Sequence, residues 1–495
     1  MLSDKLAILL VFALYLLFMV VIGAIYYRKT ANLSDYILGG RKLNSWVTAL
    51  SSQASDMSGW LLLGLPGYAY IAGMESIWIA IGLAIGTYLN WKFIAKRLRK
   101  YTQIAGDAIT LPVFLENRFR DSTKSLRIIS ALLILIFFLF YTSSGLVAGG
   151  KLFSTVFDVS YLTALTIGTL VIIAYIFLGG FMAVCWTDFF QGMLMIIAIT
   201  LVPIIGMREA GGYSSTIDII RSIDPQLLDP FSSLGGEMIS LMAIVSLLAW
   251  GLGYFGQPHI LVRFMAIRHS GQVRKARAIA MFWVIISLAF SVFAGMVGIA
   301  MFPGLLEGAT SETVFMVMIN ELFHPFIAGL LLAAILAAIM STADSQLLVS
   351  ASAFTEDIYK LLLKKNASEK ELVWMGRLAV VIVSIIAYYF ALDPESSVLD
   401  LVAYAWAGFG AAFGPTIIFS LYWKRMTRNA ALGGLISGGL MVIIWKQLNG
   451  GIFDLYEIVP GFVLSCIVIF VISMLEKAPS TDITEEFDRV KVADI

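Results

Sequence analysis

Charge is what this sequence of 495 residues lacks most: Asp, Glu, Lys and Arg make up 14% of it, while 59% is hydrophobic. Soluble domains carry about 25% charged residues, so the composition excludes an ordinary soluble enzyme or binding domain and points to a polytopic membrane protein. The net charge of +1 argues neither for nor against nucleic acid; no long basic run occurs, and no nucleic-acid partner is expected. Cysteine and histidine are also scarce. Cys185 and Cys466 lie in apolar segments without metal-type spacing and read as packing residues, not a disulfide. His259, His269 and His324 are scattered and form no H-E-x-x-H pair, which argues against a zinc enzyme. No cofactor is expected, and no convincing nucleophile–base set points to catalysis. A channel would want rings of carbonyls or charges around a continuous pore, and no repeated filter motif is visible.

Long apolar runs are what the sequence has in abundance. Windows of about twenty apolar residues, the length that crosses a bilayer, predict an all-α membrane protein of about thirteen spans: 6–27, 44–71, 74–95, 128–150, 158–178, 182–206, 238–262, 278–302, 325–349, 373–391, 397–422, 430–447 and 455–475. The run from Leu6 to Tyr27 is too long for a signal-peptide core, and its basic flank, Arg28-Lys29, follows it; a retained first helix is expected.

Charge then tests the count. With the N-terminus outside, the loops after odd-numbered spans are cytoplasmic, and they hold 29 of the 34 lysines and arginines, the stretch Arg263 to Arg277 included. Only Lys5, Lys151, Arg208, Arg221 and Lys446 fall on the outer side. Basic loops stay in the cytoplasm, and a miscounted helix would invert the bias beyond the error. The expected topology is N-terminus outside, C-terminus inside. The outer loop 207–237, with Asp218, Asp224 and Asp229, reads as a solvated connection. The tail 476–495 is mostly polar and too short to fold alone.

Spans two to six (44–207) and seven to eleven (238–423) make two groups of five, after a first helix and loop (1–43) and before two C-terminal helices (424–475). An odd group size sets the second copy upside down, the pattern of inverted-repeat transporters. The first helix of each group has a matching weak point. In span two, Asp56 stands mid-membrane among hydroxyls and is followed by Ser58-Gly59, a pair that weakens a helix. A carboxylate at that depth costs about 2.5–3.5 kcal/mol on the lenient scale and needs a partner or a wet cavity. Span seven contains Trp250-Gly251-Leu252-Gly253-Tyr254-Phe255-Gly256-Gln257-Pro258, with three glycines and a proline that no sturdy helix tolerates. Loosened backbone inside a bilayer is tolerated only where it faces protein or lines a cavity, so these two stretches read as a site for an ion or small solute, with a tight helix–helix contact of small residues as the alternative.

The segments Ser55-Asp56-Met57-Ser58-Gly59-Trp60, Trp250 through Pro258 to His259, and Met340-Ser341-Thr342-Ala343-Asp344-Ser345 resemble signatures of the sodium/solute symporter family. The likeness runs from the Leu38-Gly39-Gly40-Arg41 loop to the last helices. It implies a LeuT-like five-plus-five core, a bacterial cytoplasmic (inner) membrane, and coupling of sodium entry to solute uptake by alternating access, without enzymatic activity.

Ala338, Ser341 and Thr342 are spaced i, i+3, i+4 and share a helix face. Hard cations take oxygen ligands, and neutral oxygens suffice for a monovalent ion that must also leave. The resemblance implies a sodium site made of the backbone carbonyls of Ala54, Met57 and Ala338 and the hydroxyls of Ser341 and Thr342. Read alone, the two hydroxyls could equally back-bond to the preceding turn. Asp56 and Asp188 are expected to support the site or the ion's path, although each could be a buried partner for an arginine or a helix N-terminus. Asp344, closer to the cytoplasmic end, could be merely solvated.

Trp250, Tyr254 and Pro258 recur every four residues and would share a face of a helical span seven, with Pro258 closing the pocket's cytoplasmic end; Tyr141 lies near the middle of span four. With Ser58 and Gly59 at the break, they are the expected solute-binding residues. Aromatic walls suit a compact ring with charges at one end, and a broken helix exposes N–H groups to a carboxylate. L-proline fits; pantothenate, a sugar or a short monocarboxylate are the alternatives. The expected partners are thus Na+, L-proline and the lipid bilayer.

Overall fold

The computed structural model describes residues 2–27, 33–176, 180–232 and 237–493. Among them, all regular structure is helical apart from two isolated bridges, Leu43–Ile267 and Ser232–Met238. Helices satisfy their own backbone groups without water, which a bilayer demands. Arg28, Lys29 and the end of the fifth window, 177–178, lie outside the described residues.

Every expected window holds a helix. Span one is Leu2–Tyr27, span two is Ser45–Met57 plus Gly64–Ala72, and span three begins at Ile77–Leu89. Spans four to six are Ser125–Phe157, Tyr161–Ile176 and Phe181–Glu209. Span seven consists of Leu241–Leu248, a 3-10 stretch Ala249–Gly256, and Pro258–Ala266; span eight is Val273–Met301 and span nine Pro325–Ser352. Spans ten to thirteen are Glu369–Phe390, Val398–Tyr422, Arg428–Trp445 and Ile458–Leu475. Ten helical runs among the described residues are long and apolar enough to cross a membrane on their own, and the pair Leu241–Gly256 and Pro258–Ala266, bent by 46°, makes an eleventh. The count falls short of thirteen because span five is brief and span two is split, its second half running on with span three as Gly59–Ile104.

Burial follows the bilayer as solvent. Leu6, Leu9, Leu10, Leu14 and Leu17 on span one are exposed, while Ser51, Ser52, Gln53, Ser55 and Asp56 on span two are sealed inside. Span two starts where Asn44 accepts from the backbone N–H groups of Trp46 and Val47 at 2.9 and 3.0 Å, an N-cap. It breaks at Ser58, whose φ of 40° glycine takes readily and serine rarely. In span seven glycine is demanded by close approach: a Cβ at Gly253 would fall 1.8 Å from Trp406 Nε1, and one at Gly251 would fall 2.2 Å from the Gly82 carbonyl oxygen.

The connections are more ordered than their composition suggests. The outer loop 207–237, expected as a solvated link, forms a helix at Gly212–Ile223 that buries Thr216 and Ile220. The tail helix Thr481–Val492 docks by burying Glu486, Phe487 and Val490. Arg120 pairs with Glu486 at 2.5 Å, Lys424 pairs with Asp488, and Arg97 lies over the Phe487 ring.

Candidate functional site

A helix leaves its last four carbonyls without intrahelical partners. In the first half of span two these belong to Ala54, Ser55, Asp56 and Met57, because the chain turns away at Ser58. Side chains from other spans reach two of them. From span nine, Ser341 Oγ donates to the Ala54 carbonyl at 2.8 Å and Thr342 Oγ1 approaches the same oxygen at 3.4 Å. Ser341 Oγ also lies 3.1 Å from the Ala338 carbonyl. From span four, the Tyr141 hydroxyl donates to the Asp56 carbonyl at 3.0 Å. The break therefore gathers the oxygens of Ala54, Ala338, Ser341 and Thr342 in one buried spot. Met57, the last helical residue and itself wholly buried, carries the final carbonyl of the same open end.

The Asp56 side chain turns toward span seven, where the Tyr254 hydroxyl donates to its Oδ2 at 2.7 Å. The Tyr254 ring meets Trp406 of span eleven edge-on at 5.0 Å, and Trp406 Nε1 donates to the Trp250 carbonyl at 2.7 Å. Trp250 lies between Trp60, 5.9 Å away, and Tyr456, stacked at 5.7 Å. The result is an aromatic cluster packed around the two breaks from spans two, seven and eleven and the segment just before the last span. Ser58 is buried at the turn and its Oγ accepts from the Trp60 N–H. A Cβ at Gly59 would fall 2.8 Å from Ala148 and 3.3 Å from Ile339, so the absence of a side chain here lets spans two, four and nine pack together.

Pro258 stands apart from the other aromatic-face candidates. The expectation of a shared face with Trp250 and Tyr254 assumed an α-helix, but residues 249–256 are 3-10, with three residues per turn, and i, i+4 positions no longer align. Pro258 begins the second half of span seven and lines a separate crevice with Thr110, Pro112, Leu348, Ser352 and Asp357.

One turn earlier on span two, a second polar node forms. Ser51 Oγ donates to Asp188 Oδ2 at 2.6 Å, and Arg263 Nη2 reaches the same oxygen at 3.1 Å. Arg263 also donates to Ser51 Oγ, to Ser345 Oγ at 2.5 Å and to the His259 carbonyl. Two expectations are corrected here. Arg263, counted among cytoplasmic loop charges, is fully buried in span seven; its charge is compensated by Asp188, so it need not reach water. Asp344, open to a solvated reading, is also fully buried, with Ser345 Oγ 3.3 Å from its Oδ1. The sequence reasoning missed Arg263, Ser51, Ser345, Trp60, Trp406 and Tyr456. A basic residue four positions after Pro258-His259, inside an apolar run, was the available signal for Arg263; Trp406 and Tyr456 carry none.

A sequence model of the sodium:solute symporter family matches residues 36–438. The chain belongs to the sodium:solute symporter family. It is 51% identical to the high-affinity proline transporter PutP of Bacillus subtilis (strain 168) over 474 residues, covering 95% of this chain and 98% of that one. It is 51% identical to the sodium/proline symporter of Escherichia coli (strain K12) over 484 residues, covering 97% of this chain and 95% of the other. The sodium/proline symporter of Staphylococcus aureus (strain JH9) is 47% identical over 490 residues. In fold, the chain matches the substrate-bound outward-open state of a Na+-coupled sialic acid symporter with a TM-score of 0.79 at 19% identity, over 96% of this chain and 99% of that one. It also matches Mhp1, a nucleobase-cation-symport-1 family transporter, in a closed conformation, with a TM-score of 0.55 at 14% identity, over 93% and 99% of the two chains. The family fold is thus the LeuT-like one, a five-plus-five inverted repeat.

Proposed function

We propose that this chain is a secondary active transporter that couples sodium entry to L-proline uptake by alternating access. The observation that carries the reading is the convergence of Ser341 and Thr342 on the Ala54 carbonyl at the break of span two, whose Asp56 side chain bonds Tyr254 of the aromatic cluster. The relatives' own names supply the solute: proteins about half identical along nearly the whole chain are proline transporters.

In this reading Ala54, Met57, Ala338, Ser341 and Thr342 hold sodium, and Asp188 lies on its path with Arg263 as counter-charge. Ser58, Gly59, Tyr141, Trp250 and Tyr254 surround the solute, and Pro258 lines the route beyond it toward the cytoplasm. Sodium binding draws span two against span nine, and the filled pair of sites favours the state that closes over them. No covalent step occurs. One entering charge yields about 2.3 kcal/mol at about 100 mV, and a tenfold sodium gradient adds about 1.4 kcal/mol, enough for several-hundred-fold accumulation at one-to-one coupling. The repeats comprise 44–207 and 238–423, in a bacterial inner membrane, with the N-terminus outside and the C-terminus inside.

Equilibrium binding of labelled L-proline to the purified protein tests this. Binding is expected in sodium and lost when choline replaces it; equal binding in both salts contradicts sodium coupling.

A further inference from the structure

We infer that the tail helix Thr481–Val492 is a clasp on the cytoplasmic end of span seven: docked, it holds the route past Pro258 shut, and rising internal salt loosens it. The inference rests on the alternating-access reading above and adds a device that regulates it.

The tail packs against the short helix Lys96–Ile104, which continues span three into the cytoplasmic loop. Phe487 is buried with its ring centre 4.8 Å from the Arg97 guanidinium and 6.2 Å from the Tyr101 ring, which it meets edge-on. Lys100 donates to the Ala493 carbonyl. The same helix holds the end of span seven: buried Arg99 donates to the Ile267 carbonyl at 2.6 Å and to the Arg268 carbonyl at 3.2 Å. The tail also reaches beyond this helix. Asp488 pairs with Lys424, just past span eleven, and Glu486 pairs with Arg120. Arg97 lies over the ring of Tyr422, the last residue of span eleven, as well as that of Phe487. The docked tail therefore ties the helix that holds span seven to span eleven and to the loop at Arg120. A swing of Pro258–Ala266 away from its neighbours pulls on Lys96–Ile104 through Arg99, and so on the tail.

The clasp is weakly held. Arg118 beneath it is fully buried, yet only its Nε donates, to the Ser420 carbonyl at 3.2 Å; its two amino groups have no hydrogen-bond partner. The rings of Phe119, Tyr101 and Phe487 lie 4.9, 5.3 and 5.3 Å from its guanidinium. Aromatic faces offset part of the cost of a buried cation, but docking still denies those amino groups their water. The ion pairs that add to Phe487 are half open to solvent, with Arg120, Lys424 and Asp488 side chains 47%, 46% and 44% exposed. Such pairs contribute little and are screened by salt, so ionic strength can shift the tail between docked and free.

The test places a reporter thiol by Val262→Cys, which lines the crevice beside Pro258, in a protein carrying Cys185→Ala and Cys466→Ala. Its reaction rate with N-ethylmaleimide is measured in detergent without sodium, at about 0.05 M and about 0.5 M choline chloride, a change that shortens the Debye length about threefold. Trypsin cleavage at Arg489, followed by mass spectrometry, reports whether the tail is docked. Glu486→Gln with Asp488→Asn removes both ion pairs, and Phe487→Ala removes the buried ring. At low salt both tail variants should be cut faster than the parent, and their reporter thiol should react about threefold or more faster, the scale of two surface ion pairs. High salt should bring the parent up to the rate of the ion-pair variant and leave that variant nearly unchanged. Tail variants that are cut faster while the thiol reacts at the parent's rate overturn the clasp. Cleavage and thiol reaction in the parent that ignore salt overturn its release by ionic strength. Binding of labelled L-proline in sodium, measured on the same parent, tests the transport reading separately, because neither the thiol nor the cleavage readout uses proline.

Discussion

Arg263 on span seven and Asp188 on span six meet 3.1 Å apart inside the helix bundle, both side chains essentially sealed from the surface. Around them Ser51 and Ser345 bring in spans two and nine. One node therefore ties spans two and seven to spans six and nine, a single turn from the proposed sodium site.

Breaking a buried ion pair from one side costs about 3–5 kcal/mol because a lone charge is left behind. Arg263→Ala leaves Asp188 without its guanidinium, beside a second buried carboxylate, Asp344. The expected outcome is a protein that melts earlier in detergent and is less abundant in the membrane. Asp188→Asn combined with Arg263→Gln should recover much of the loss. A single variant as stable as the wild type would show that the pair contributes little.

Thr342→Ala and Ser341→Ala each remove a hydroxyl that reaches the Ala54 carbonyl, and alanine preserves or improves helix propensity. Both should raise the sodium concentration needed for half-maximal proline binding, with the protein still present in the membrane. Unchanged sodium dependence in both variants makes the hydroxyls structural.

Tyr254→Ala removes an aromatic contact with Trp406 and the hydrogen bond that orients Asp56. An aromatic contact of about 1–2 kcal/mol corresponds to a five- to thirtyfold weaker affinity for proline at saturating sodium. Sodium affinity without proline should change much less. Equal loss of both affinities points to a packing role.

Reporter tags at Lys5 and after Ile495 should be accessible from opposite faces of the membrane. Tags on the same face contradict thirteen spans.

The spans were legible because twenty apolar residues in a row have few other uses, and the two breaks because glycine and proline cannot hide in a helix. Arg263 was misplaced because a hydropathy window stops at a charge, and nothing local reveals a carboxylate on another span. Pro258 was grouped with Trp250 and Tyr254 on α-helical spacing, where the backbone is 3-10. The aromatic cluster's other members, Trp60, Trp406 and Tyr456, are set by tertiary packing between distant spans, which leaves no periodic trace. The tail helix did carry a trace, Ile483, Phe487 and Val490 at i, i+4 and i+7, but the surface that receives Phe487 and Val490 is set by packing with distant segments.

Coupling itself is tested most directly by uptake of labelled L-proline into proteoliposomes holding the purified protein. With an inward sodium gradient and an inside-negative potential, proline should accumulate well above its external concentration, and a sodium ionophore should abolish the accumulation. Uptake of equal rate and extent without sodium, or no concentrative uptake of proline under the full gradient, would contradict the account.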